Sequence, residues 1–73
     1  MVHRDAFINK IRELRYTYKS QQLRTQLWRK RGGTHVMFVP LADLLEDDWV
    51  TGVLRQAGVA DQEIKSFIAS AKI

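Results

Sequence analysis

The sequence predicts an α+β domain: a helix, a three-stranded antiparallel sheet, then one or two helices packed on one face of that sheet. Three observations carry this reading. Thr25–Pro40 (TQLWRKRGGTHVMFVP) has the form of two short strands joined by a tight turn at Arg31–Thr34. An amphipathic stretch and an aromatic, β-branched run precede it, and helical spacing follows it. At 73 residues the chain has room for one core, so 1–73 is read as a single domain.

Taken in order, Arg4–Leu14 places Phe7, Ile8, Ile11 and Leu14 on one helical face, with Asp5 near the start, where the helix dipole favours a carboxylate. The residues before it are read as a flexible start. Tyr16–Lys19 predicts a first strand, and Ser20-Gln21-Gln22 a polar connection. Along the second strand, Leu23, Thr25 and Leu27 share the face expected to meet the core, and Arg24, Gln26, Trp28 and Lys30 the face expected to meet solvent or a ligand. Gly32-Gly33 supplies the positive backbone angles of a hairpin turn. His35–Val39 is apolar on both faces, which predicts a strand that is central or covered on both sides, and Pro40 ends it. Leu41–Glu46 reads as a loop or one helical turn. Asp47 or Asp48 then caps a helix with the stripe Trp49, Val50, Val53, Leu54 and Ala57, closed by Gly58. Asp61 opens a last helix with Ile64, Phe67, Ile68 and Ala71 on its face. Ile8, Ile11, Val53 and Leu54 are expected to be almost fully buried.

Composition narrows the function. There is no cysteine, hence no disulfide, thiolate ligand or cysteine nucleophile, and two histidines, His3 and His35, argue against a histidine metal site. No metal and no cofactor is expected. No apolar run reaches the roughly 20 residues that span a bilayer, and the start lacks an apolar signal core, so a cytoplasmic protein without membrane contact is expected. Glu46-Asp47-Asp48 suits the start of a helix better than a cation site, because three consecutive carboxylates cannot converge on one ion from a helix.

Charge is unevenly placed. Residues 1–35 carry nine Lys/Arg against Asp5 and Glu13, a surplus of seven, whereas residues 36–73 carry three against six acidic residues. A basic half beside an acidic half points to a face that binds a polyanion. Arg29, Lys30 and Arg31, with Lys19 and Arg24, are the expected contacts to RNA backbone, since duplex RNA is read mainly through phosphates and 2′-hydroxyls. Trp28 is grouped with them as a stacking surface, although a strand tryptophan more often packs on a neighbour. His35 is the candidate general acid or base.

The element order, Val39-Pro40, and Val53-Leu54-Arg55-Gln56-Ala57-Gly58-Val59 resemble the HicA toxins. These are small bacterial mRNA interferases with a double-stranded-RNA-binding-like fold. In that family the third strand ends in Val-Pro and the following helix in Leu-Arg-Gln-Ala-Gly. The resemblance implies RNA as a partner, an antitoxin-like protein covering the basic face, and metal-independent endoribonuclease activity from a histidine in a Gly-Ser-His or Gly-Gly-His step. Gly33-Thr34-His35 looks like that step, but the family's histidine comes at the passage from first to second strand, where this sequence has Gln21–Thr25. The expectation is therefore an RNA-binding domain with weak or lost cleavage. The other reading is a non-enzymatic protein-interaction module that uses the basic hairpin and the exposed sheet face.

Overall fold

A computed structural model describes residues 1–72. Its elements in order are β1 (Val2–His3), α1 (Arg4–Glu13), β2 (Tyr16–Gln22), β3 (Thr25–Lys30), β4 (Val36–Pro40), β5 (Leu44–Leu45), α2 (Asp47–Gln56) and α3 (Asp61–Ala71). The expected helix, antiparallel three-stranded sheet and two further helices are all present, with β3 between β2 and β4. No helix among the described residues is long and apolar enough to cross a membrane.

One face of the sheet supports the helices. Tyr16, Trp28, Met37 and Val39 are buried with Phe7, Ile8 and Ile11 of α1, and the same core extends to Val50 and Leu54 of α2 and Ile64 of α3. Val53 is only partly buried, contrary to expectation, because Val50 and Leu54 take the inward line of α2. That helix ends as its sequence demands. Gly58 takes φ +86°, its N–H meets the carbonyl of Arg55, and the N–H of Val59 meets that of Leu54. This pairing satisfies carbonyls that the last turn leaves free, and it brings Val59 onto Leu54.

The strand faces are the reverse of those expected. Trp28 is 3% exposed and points to the core, while Leu27 is half-buried on the outer face with Phe38, which is 60% exposed. Strand alternation allows one face only, and the indole brings far more apolar area to the helix than a leucine does. The first strand also runs further than expected, through Ser20–Gln22, and turns at Leu23-Arg24. Leu23 is therefore a turn residue at φ +52°, 96% exposed, rather than a core residue. A bulge between Tyr18 and Ser20 accommodates Lys19. β4, expected at the centre or covered on both sides, is an edge strand whose outer face is open at Val36 and Phe38.

The start of the chain is held rather than flexible. Val2 is fully buried, β1 pairs with β5 inside the segment read as a loop, and Val2 bridges to Lys72. Asp47, at the start of α2, receives the Met1 ammonium at 3.0 Å and Lys72 at 3.2 Å. These contacts hold its carboxyl below the usual carboxylate range, chiefly the hydrogen bond from the ammonium and then that from Lys72.

Candidate nucleic-acid interface

The hairpin between β3 and β4 gathers most of the expected basic residues. The N–H of Lys30 meets the carbonyl of His35 at 2.9 Å, and Gly32 turns the chain at φ +73°. Gly33 does not share the positive angle. Its carbonyl accepts a hydrogen bond at 3.1 Å from Nε of Arg29, which orients that side chain. Lys19, Arg29, Lys30 and Arg31 line a shallow cleft of about 340 Å³ at this end of the sheet. The bulge gives Lys19 its place beside them.

Two expected contacts lie elsewhere. Arg24 is at the β2–β3 turn, the opposite end of β3 from Lys30 and roughly 20 Å along the strand by its rise per residue. Trp28 faces α1, and its indole N–H donates to Oε1 of Gln26 at 3.2 Å. The same oxygen receives the guanidinium of Arg4, whose Nε donates to the carbonyl of Pro40 at 2.7 Å. Arg4 and Gln26 thus fasten the start of α1 to the sheet.

A second basic feature was not singled out from the sequence. A trough runs between α1 and the β2–β3 ribbon, about 470 Å³ at the end near Arg4 and about 410 Å³ at the end near Arg15 and Arg31. Arg12, Tyr18 and Trp28 line both ends. The Arg12 guanidinium lies 5.6 Å from the Trp28 ring centroid, a cation–π contact. Tyr18 is 49% exposed and meets Trp28 edge to face at 5.9 Å. Arg31 borders both the trough, on the helix side, and the cleft, whose Thr17 and Arg29 belong to the outer face, and so links the two around the end of the sheet. Arg12 falls on the polar side of the α1 pattern, and that was the available signal; Arg15 lies just past the helix, after its C-cap.

Electrostatically this surface is uncompensated. Among the described residues, Arg12, Arg15, Lys19, Arg24, Arg29, Lys30 and Arg31 form no ion pair, and the carboxylates that are paired hold Lys10, Arg55, Lys72 and the Met1 ammonium. Cations on a rigid hairpin that hold no carboxylate can bind phosphate oxygens without breaking an ion pair.

His35 is half-buried at the entry to β4. Its Nδ1 lies 2.6 Å from the hydroxyl of Tyr16, with the rings edge to face at 5.8 Å. Burial pushes the Tyr16 phenol up, so it keeps its proton at neutral pH. No group of three or more His, Asp or Glu among the described residues is placed to hold a metal ion.

Compared with family models, curated proteins and solved structures, the chain matches none.

Proposed function

We propose that this chain is a small RNA-binding domain that resembles the HicA toxins, holds RNA through its sugar–phosphate backbone, and has weak or no ribonuclease activity. The observation that carries this reading is the cluster of cations without ion-pair partners at the hairpin end of the sheet, Lys19, Arg29, Lys30 and Arg31, joined through Arg31 to Arg12 and Arg15. A polyanion gains from such a surface by counterion release, and affinity then falls steeply with salt. The resemblance adds an antitoxin-like protein as a second partner, whose acidic groups would cover the same face.

The test is RNA affinity as a function of salt. Replacing Arg29, Lys30 and Arg31 together by Ala should weaken binding to unrelated RNAs about equally and reduce the slope of log K against log salt by about 2 to 3. Unchanged affinity in a folded triple variant overturns the reading.

A second reading has its own support: the outer sheet face exposes Val36 and Phe38 beside half-buried Leu27. A protein docked there would bind through apolar contact, with little salt dependence, and Phe38→Ser would weaken it while leaving RNA affinity alone.

A further inference from the structure

We propose that the trough between α1 and the β2–β3 ribbon is a site for one unpaired nucleotide of single-stranded RNA. The inference rests on the RNA-binding reading and adds the place where a base, rather than the backbone alone, is held.

The trough has the size and the polarity for such a ligand. Its two ends, about 470 and about 410 Å³, each fall in the range of small-ligand pockets. Along α1 one end offers the Asn9 amide and the Asp5 carboxylate, groups that bind the polar edge of a base; Arg4 and Arg12 line this end too, with the Arg4 guanidinium engaged by Gln26 and Pro40 and that of Arg12 by Trp28. At the far end it offers Arg15 and Arg31, which attract phosphate. A nucleotide is therefore oriented, with its base toward Asn9 and its phosphate toward Arg15.

Tyr18 stands between these ends. Trp28 lies behind it as a buried support, and half of the Tyr18 side chain remains open to a stacking partner. Arg12 is held in place over the same indole. A paired base has both faces already stacked in its duplex, so Tyr18 selects an unpaired one.

Arg15 is placed by the backbone. It follows the C-cap of α1 with φ +72°, a left-handed position that glycine occupies without strain. The Arg31 N–H donates to its carbonyl at 2.7 Å and locks the two arginines side by side. The Arg15 side chain lines the trough beside that of Arg31, so both cations face the same opening.

The experiment compares three probes by fluorescence anisotropy: a mixed-sequence single-stranded hexaribonucleotide, an abasic hexamer with the same phosphates, and a blunt 12-base-pair RNA duplex. The expected result is hexamer binding about tenfold tighter than abasic binding, a difference that Tyr18→Leu removes without changing affinity for the abasic probe. Arg15→Gly should weaken binding to both hexamers and reduce the salt slope by about 0.7 while leaving the protein at least as resistant to heat. Equal binding of the base-bearing and abasic hexamers by the wild type, or no effect of Tyr18→Leu, overturns the nucleotide site. If the duplex still binds and the Arg29, Lys30, Arg31 variant still loses it, the RNA-binding reading survives that result. Absence of binding to all three probes overturns both. Should Tyr18→Leu fail to fold, the two indole N–H resonances of the wild type decide. Hexamer must shift that of Trp28 and spare that of Trp49, which packs against Phe7. An unmoved Trp28 resonance overturns the site.

Discussion

The hydroxyl of Tyr16 and Nδ1 of His35 are 2.6 Å apart, and this contact joins the first residue of β2 to the residue that leads into β4. It spans the end of β3, since Tyr16 also pairs with Lys30. The phenol ring is 2% exposed and belongs to the core, so only its hydroxyl serves the histidine. Tyr16→Phe should keep the ring packing and cost about 0.5–1.5 kcal/mol, the usual worth of one such bond. It should also change the alkaline limit. A phenol whose folded pKa is raised adds stability that is fully present below its unfolded value of about 10 and is lost as pH rises through the folded value. Denaturant unfolding should show wild-type stability declining above about pH 10 and a shallower decline in Tyr16→Phe. Parallel declines in the two proteins would exclude this source.

Leu23 makes the opposite kind of prediction. Its side chain is 96% exposed and its φ of +52° is unfavourable for a branched residue. Leu23→Gly relieves a left-handed strain of about 1–2 kcal/mol, offset in part by the freedom glycine adds to the unfolded chain. A net gain of about 0.5–1 kcal/mol is expected, measurable as a raised denaturation midpoint. A loss of stability would mean that Leu23 makes a contact its exposure does not suggest.

The face of α1 was readable from the sequence, that of α2 was readable except at Val53, and sheet faces were not. Phe7, Ile8 and Ile11 repeat at helical spacing, and Gly58 marks the end of α2, so each signal has a single solution. β3 offers two acceptable faces, Leu27 on one and Trp28 on the other, and only packing against α1 chooses between them. The same ambiguity hid the trough, because Arg12 and Tyr18 lie on different elements and come together only over Trp28, whose face the sequence left open. The basic hairpin was legible because Lys30-Arg31 and the Gly32 turn are contiguous. Pairing of β1 with β5 was not, since two-residue strands carry too little pattern to detect.

The core should respond by depth. Ile11 and Leu54 are fully buried, so truncating either to Ala should cost about 2–5 kcal/mol, which threatens a domain this small. Val53→Ala should cost less, because Val53 is only partly buried. A loss below about 1 kcal/mol at Ile11 or Leu54 in urea unfolding would contradict the packing.

Asp47 sets an acid limit. Its lowered pKa means that its contribution to stability is present above the unfolded value of 3.8 and is lost as pH falls through the folded value. Asp47→Asn should be less stable than wild type at neutral pH and should converge with it in strong acid. A stability difference that persists unchanged down to pH 2 would exclude titration of this carboxyl as its source.

The last prediction concerns cleavage. If the proposed likeness to the HicA toxins held in full, the imidazole would sit at the passage from first to second strand. Here that passage is the β2–β3 turn, Gln21 to Thr25, which carries amides, a leucine, an arginine and a threonine but no general base. His35 lies one strand later, with Nδ1 against the Tyr16 hydroxyl. Lysine and arginine can hold phosphates, but as cations they have no lone pair to take a proton and make poor bases. Purified protein should therefore bind a labelled RNA and leave it intact without added metal, and its expression in bacteria should be tolerated. RNA degradation that His35→Ala abolishes, with the domain still folded, would make Gly33-Thr34-His35 the catalytic step. Degradation that His35→Ala leaves unchanged would mean that another group acts, and neither placement of the histidine would explain it.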